Sequence, residues 1–271
     1  MNYKEYIFTL EQPDVFRDIF IAELAQIGFE GFVENEQGFS AFTNLELNFD
    51  EVLSKYPIKY SYTSKVVVEE NWNKTWEKHI QPLVIDDKIY IKTSFHPEKD
   101  LPLVITIDPK MSFGTGHHET TYLMIKQMFE IEFENKSVLD MGAGTGVLSI
   151  IAHHYGAKSI YAVDIDKWSY ENMQENFAKN NTSEIKSFLG DAGILKGFPQ
   201  FDIVLANINR NILLDDIQHY AQKLDKGGVL VLSGFYTQGI PIVTAEANKY
   251  GMVFEKQFEK NNWVSLKFVK N

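Results

Sequence analysis

Cysteine is absent from the 271 residues, which excludes disulfides, thiolate metal sites and a cysteine nucleophile, and fits a reducing compartment. No apolar run approaches the ~20 residues needed to span a bilayer. The opening MNYKEYIFTLEQPD carries acids where a secretory signal would need an apolar segment. A cytoplasmic protein with no membrane partner is therefore expected, acting as a monomer. Positive charge is also scarce: 26 Lys and Arg stand against 37 Asp and Glu, a formal charge of −11. Phosphate backbones need clustered cations, so no direct nucleic-acid partner is expected. Repeats and low-complexity tracts are missing as well.

What is present is enough apolar residue, 44%, for packed cores, and enough length for two domains. The acidity is uneven. Residues 1–62 hold four cations (Lys4, Arg17, Lys55, Lys59) and eleven carboxylates, a charge of −7. Such a face is either a solubilising surface or a docking face for a basic partner.

Along the chain, YKEYIFTL (3–10) alternates as a strand. Val15, Phe16, Ile19, Phe20, Leu24 and Ile27 recur at helical spacing until Gly28. GFVENE and FSAFTN read as strands around Gln37-Gly38, FDEVLSKY as a short helix closed by Pro57, and KYSYTSKVVVEE as a strand. The order β-α-β-β-α-β predicts a ferredoxin-like domain over 1–62. A linker is expected over 63–80, where Trp72 and Trp76 share one face if helical and would cover a domain junction. PLVIDDKIYIKTSFHP then reads as a hairpin with an Asp-Asp turn, followed by the strand LPLVITID. From Lys136 strands and helices alternate as in a doubly wound α/β sheet, and MVFEKQFE and WVSLKFVK form a closing hairpin. The second domain is expected over 81–271.

The segment VLDMGAGTGVLSI (138–150) places Gly142, Gly144 and Gly146 between a buried strand and a helix, where ligands sit in open parallel sheets. A dinucleotide fingerprint wants G-x-G-x-x-G, and Val147 stands where its third glycine belongs. Asp140, just before the turn, would repel a pyrophosphate and favour a cation. S-adenosylmethionine, with an ammonium and a sulfonium, suits this better. Asp164, ending YAVDID, stands where a carboxylate accepts from ribose hydroxyls. Asp166 reads as a helix N-cap. Asp191 (FLGDAG) is either a loop cap or a partner for the adenine amino group. Asn207 at the tip of FDIVLAN can aim an amine for methylation or simply begin a turn.

FGTGHHETT (113–121) invites a metal reading that fails on spacing, since H-E-x-x-H is not met: Tyr122 occupies the last position. A phosphate cradle fails too, for want of a Gly-Lys-Ser/Thr ending. What remains is a flexible loop opening a helix, with His117 and His118 as lid or channel residues.

Together FGTGHHETT, VLDMGAGTG, AVDID and VLANI strongly resemble the ribosomal protein L-eleven methyltransferase family, over nearly the whole chain. That resemblance implies a Rossmann-like class I methyltransferase domain with a ferredoxin-like substrate-recognition domain. It implies the cofactor S-adenosyl-L-methionine and a basic ribosomal protein as substrate, trimethylated on lysine and N-terminal amino groups. Cofactor contacts are implied at Thr121, Gly142, Asp164 and Asn207; Gly144 joins them from the Gly-rich turn. Asn209-Arg210-Asn211 departs from the small or apolar residues of many relatives. Asn207 is expected to orient a neutral amine, with no obligatory strong base. The alternatives are a nicotinamide reductase using Tyr122 and Lys126, a non-enzymatic binder, and a methyltransferase acting on another amine.

Overall fold

A computed structural model describes residues 3–29, 31–35, 37–45, 47–67, 81–108, 114 and 118–271. The chain divides into two compact units, Met1–Thr75 and Trp76–Asn271.

In the first unit, β1 (Tyr3–Leu10), α1 (Pro13–Gln26), β2 (Gly31–Asn35), β3 (Gly38–Thr43), α2 (Asp50–Leu53) and β4 (Tyr60–Val67) follow the expected order. The sheet runs β2-β3-β1-β4, antiparallel throughout, which is the ferredoxin-like arrangement. Alternation along β1 sends Tyr6, Phe8 and Leu10 inward, where Phe8 stacks on Phe39 at 4.9 Å between ring centroids. Pro13 suits the first turn of α1, where a backbone N–H has no helical partner. One boundary moves: β4 stays paired with β1 as far as Val67 opposite Tyr3. Residues 63–67 thus belong to this sheet and not to the linker expected to start at 63. The rest of that linker, with Trp72 and Trp76, lies outside the described residues.

The second unit opens with a small sheet of β5 (Leu83–Ile85), β6 (Ile89–Lys92) and β7 (Leu103–Thr106). Asp86 and Asp87 have φ of 49° and 51°, and Lys88 N donates to Ile85 O at 3.0 Å, so the Asp-Asp turn is present between the paired Ile85 and Ile89. The seven-stranded sheet follows, in the order β10-β9-β8-β11-β12-β14-β13. Its strands are β8 (Ser137–Met141), β9 (Ser159–Asp164), β10 (Lys186–Leu189), β11 (Phe201–Asn207), β12 (Leu224–Tyr236), β13 (Met252–Lys260) and β14 (Trp263–Lys270). β8 to β12 run parallel; β14 inserts antiparallel between β12 and β13.

All five residues of β8 are buried, as expected for a central strand covered on both faces. One apolar cluster joins the small sheet with α3 (Glu119–Met128), α4 (Val147–His154) and α5 (Lys167–Lys179). The other holds α6 (Arg210–Lys223) and α7 (Ile240–Lys249) against the opposite face. The chain goes from β8 outward to β9 and β10, then returns to place β11 on the other side of β8. The switch point therefore lies at the carboxyl ends of β8 and β11, where the sheet opens a crevice.

Candidate active site

Gly142, Gly144 and Gly146 all have positive φ, at 67°, 56° and 80°. At Gly142 there is no alternative: a Cβ would overlap Cγ2 of Ile208, besides adopting a backbone conformation L side chains avoid. The N–H groups of Gly142 and Ala143 both donate to Val163 O, at 2.9 and 3.0 Å, pinning the turn to the end of β9. Gly144 N donates to Asp164 Oδ2 at 2.8 Å, and Asp166 N to Oδ1 at 2.9 Å. Each Asp164 oxygen thus has one fixed partner and a further lone pair for a ligand. Burial holds this carboxyl above its usual range.

A cavity of about 440 Å³ opens beside the turn, walled by Met141, Gly142, Gly144, Asp164, Asn207 and Ile208. Asp191 and Asp216 add carboxylates to the wall. Asp191 also caps the 3-10 turn Ala192–Gly197 by accepting from Gly193 N at 2.8 Å, as its cap reading expects. Asp216 accepts from Tyr220 Oη at 3.1 Å, and burial raises its pKa. Behind the turn, Asp140 is buried and accepts from Ser149 Oγ at 2.7 Å. Burial pushes its carboxyl up to about 6, with the Asp164 charge adding to the rise and the Ser149 bond opposing it. Carboxylates on and behind one cavity repel phosphate and suit a ligand bearing positive charge.

Asn207 ends β11 and reaches the same cavity. Its Nδ2 donates to Thr121 Oγ1 at 3.2 Å, and its Oδ1 is buried without a hydrogen-bond partner among the described residues. Of the residues expected at the cofactor, Gly142, Gly144, Asp164 and Asn207 are on the wall, while Thr121 stands behind Asn207 and Thr120 faces the cavity.

His118 caps α3, its Nδ1 accepting from Thr120 N at 3.3 Å. Its ring meets Trp263 edge-on at 4.7 Å, and Trp263 packs on Tyr236 at 4.0 Å between centroids. His118 and Trp263 both line the cavity. A second cavity of about 330 Å³ shares Asn209, Gly234 and Trp263 with the first and extends past Tyr236, Asn211 and Gln238. Of the Gly-Thr-Gly loop only Gly114 is described, its carbonyl accepting from Thr145 Oγ1 at 2.7 Å. Phe113 and Thr115–His117, including the lid or channel role expected for His117, lie outside the described residues.

Asp166 caps α5 through Ser169 N at 2.8 Å, as expected. Asn209, part of the departure noted in the sequence, caps α6 through Ile212 N at 3.2 Å, which accounts for a polar residue there. Lys126 pairs with Asp86, and the Tyr122 ring lies 4.2 Å from Lys260 Nζ, so each half of the Tyr-x-x-x-Lys spacing has a partner of its own.

Thr120, Asp216, Tyr236 and Trp263 were not legible as site residues. Asp216 and Trp263 come from α6 and β14, and only the sheet order brings them to the switch point.

The model of the ribosomal protein L11 methyltransferase (PrmA) family matches residues 16–271. The chain belongs to this family. A ribosomal protein L11 methyltransferase of Porphyromonas gingivalis is 42% identical over 99% of this chain and 98% of its own. One from Phocaeicola vulgatus is 43% identical, with 99% of both covered. The crystal structure of a ribosomal protein L11 methylase from Lactobacillus delbrueckii subsp. bulgaricus superposes with a TM-score of 0.65 at 26% identity, over 71% of this chain and 100% of that one. As a member of the L11 methyltransferase family the protein is an enzyme with the Rossmann-like class I fold, and the nicotinamide-reductase and non-enzymatic alternatives fall away.

Proposed function

We propose that this enzyme uses S-adenosylmethionine to methylate amino groups, lysine side chains among them, of ribosomal protein L11 in the cytoplasm. The observation that carries this reading is the carboxamide of Asn207. Its nitrogen is committed to Thr121, so its oxygen is an unspent acceptor at the mouth of the Gly-rich turn. An acceptor there binds an N–H and directs the amine lone pair away from itself, into the cavity.

The cavity fits the cofactor. Asp164 has acceptor capacity left for ribose hydroxyls, Asp191 faces the cavity where an adenine amino group can donate, and both oppose a pyrophosphate. When bound, S-adenosylmethionine supplies a methyl group on a cationic sulfur. The residues of this chain then have two tasks. Asn207 holds the amine in line, with Thr121 fixing which end of the carboxamide faces it. The buried surroundings favour the neutral amine, because an ε-ammonium of reference pKa ~10.4 loses solvation there. No strong base is needed for that shift.

On the substrate side, His118, Trp263 and Tyr236 form an aromatic margin where the two cavities adjoin, suited to the alkyl stem and cationic head of lysine. The −7 charge of residues 1–62 suits a basic ribosomal protein. Calorimetry separates this reading from a dinucleotide one: S-adenosylhomocysteine should bind one to one and NADH should not. NADH binding without S-adenosylhomocysteine binding would contradict it.

A further inference from the structure

Helix α5 carries Asn172 and Asn176 and ends on Asn180 as its C-cap, spaced one per turn and all buried, at 2%, 0% and 8% exposure. Buried carboxamides are costly unless both ends are bonded, so their partners show what the face is for. Asn180 Oδ1 accepts from Thr106 N at 2.9 Å, and its Nδ2 donates to Thr106 O at 2.8 Å. Asn172 Nδ2 donates to Asp108 O at 2.7 Å, and Asn176 Oδ1 accepts from Asp108 N at 3.1 Å. The ladder of side chains thus treats the end of β7 as a neighbouring strand would, bonding alternate residues Thr106 and Asp108.

Asn176 does one thing more. Its Nδ2 donates to Thr145 O at 3.0 Å, inside the Gly-rich turn. Thr145 lies between Gly144, whose N–H is held by Asp164, and Gly146, which opens α4 in the left-handed conformation. Thr145 Oγ1 in turn holds Gly114 O. One carboxamide therefore ties the exit of β7 to the centre of the turn, two peptides on from the Gly144 N–H that Asp164 holds. The same peptide donates from Gly146 N to Ala143 O at 2.8 Å, so the turn holds its N–H and Asn176 holds its carbonyl, next to a glycine that gives little stiffness of its own.

We infer that Asn176 is a positioning residue of the methyl-transfer site, holding the Gly-rich turn and through it Asp164 in the geometry that receives the cofactor. This rests on the cofactor reading above. Asn180 is the internal control: the same residue type on the same face, bonded to β7 but not to the turn.

The test compares Asn176→Asp with Asn180→Asp in the full-length enzyme. Each aspartate keeps the acceptor toward Thr106 N or Asp108 N and loses the donor, toward Thr145 O at position 176 and toward both Thr106 O and Asn176 O at position 180. Calorimetry with S-adenosylhomocysteine should show Kd raised at least ~10-fold for Asn176→Asp and less than ~2-fold for Asn180→Asp, at comparable losses in Tm. Exchange of the Gly144 amide proton should accelerate only in Asn176→Asp, a change that loss of helix packing alone would not confine to that variant. Where a buried carboxylate unfolds either chain, Asn176→Ala and Asn180→Ala give the same comparison. Equal shifts in Kd at positions 176 and 180, or wild-type affinity in the position-176 variants, overturn the inference. Failure of the wild type itself to bind S-adenosylhomocysteine overturns the cofactor reading and this inference with it.

Discussion

Asn207 Nδ2 and Thr121 Oγ1 meet at 3.2 Å across 86 positions of sequence, joining the tip of β11 to the first turn of α3. In that arrangement the carboxamide oxygen is the end left for the cavity. Thr121→Val keeps the volume of a buried side chain and removes the acceptor, leaving Asn207 able to turn its NH2 group toward the amine. We expect kcat to fall ~10- to 100-fold while the Kd of S-adenosylhomocysteine stays within ~3-fold. Thr121→Ser should restore kcat. A Thr121→Val enzyme with full turnover would remove Thr121 from the site.

Asp140 offers a test by pH. Its folded-state pKa of about 6 lies above the ordinary 3.8, so between those values the native state keeps a proton that the unfolded chain releases. Wild-type stability from this group is highest below pH ~4, falls as pH rises, and is fully penalised above pH ~6. Asn at this position can still accept from Ser149 and does not titrate. The stability of Asp140→Asn relative to wild type should therefore rise by up to ~3 kcal/mol from pH 4 to pH 7 in urea melts. A difference that stays flat with pH would show that burial does not raise the pKa of this carboxyl.

Gly142 is fixed by two constraints, its φ of 67° and the methyl of Ile208 against it. Gly142→Ala should cost ~1–3 kcal/mol in thermal or urea melts and weaken S-adenosylhomocysteine binding. Adding Ile208→Ala removes the overlap but not the backbone strain. The double variant should therefore recover part of the stability, and full recovery would show that the φ carries no cost.

Trp263 lines both cavities and packs between His118 and Tyr236. Trp263→Ala should raise KM for the protein substrate ~10-fold or more and leave the Kd of S-adenosylhomocysteine within ~3-fold. Trp263→Phe, which keeps an aromatic face, should lie in between. A loss confined to cofactor affinity would assign this residue to the other side of the site.

The parts of this site legible in the sequence are those set by local rules. Glycines at alternate positions after a buried strand, a carboxylate at the end of the next and an asparagine at the end of the fourth each lie in a short window of sequence. Asp166 and Asn209 cap their helices by contacts spanning three residues. Thr121 and Thr120 are adjacent, and which one faces the cavity depends on where α3 begins, which His118 settles by capping it. The expected closing hairpin of β13 and β14 is present, but Trp263 was invisible because its place depends on β14, and not β13, being the strand that pairs with β12. The asparagines of α5 are visible at helical spacing, but their partners lie 64 to 74 residues away on β7 and just beyond it, and 31 away in the Gly-rich turn. Composition placed the acidic surplus in residues 1–62, while pairing along β1 carries that domain's sheet on to Val67.

The most direct measurement is transfer of labelled methyl from S-adenosylmethionine to purified ribosomal protein L11, read by mass spectrometry, with wild-type enzyme and with Asn207→Ala. The wild type should place label on amino groups of L11. The variant should fall at least ~100-fold in rate while still binding S-adenosylhomocysteine. No label on L11 from the wild type, or equal labelling by the variant, would contradict the account.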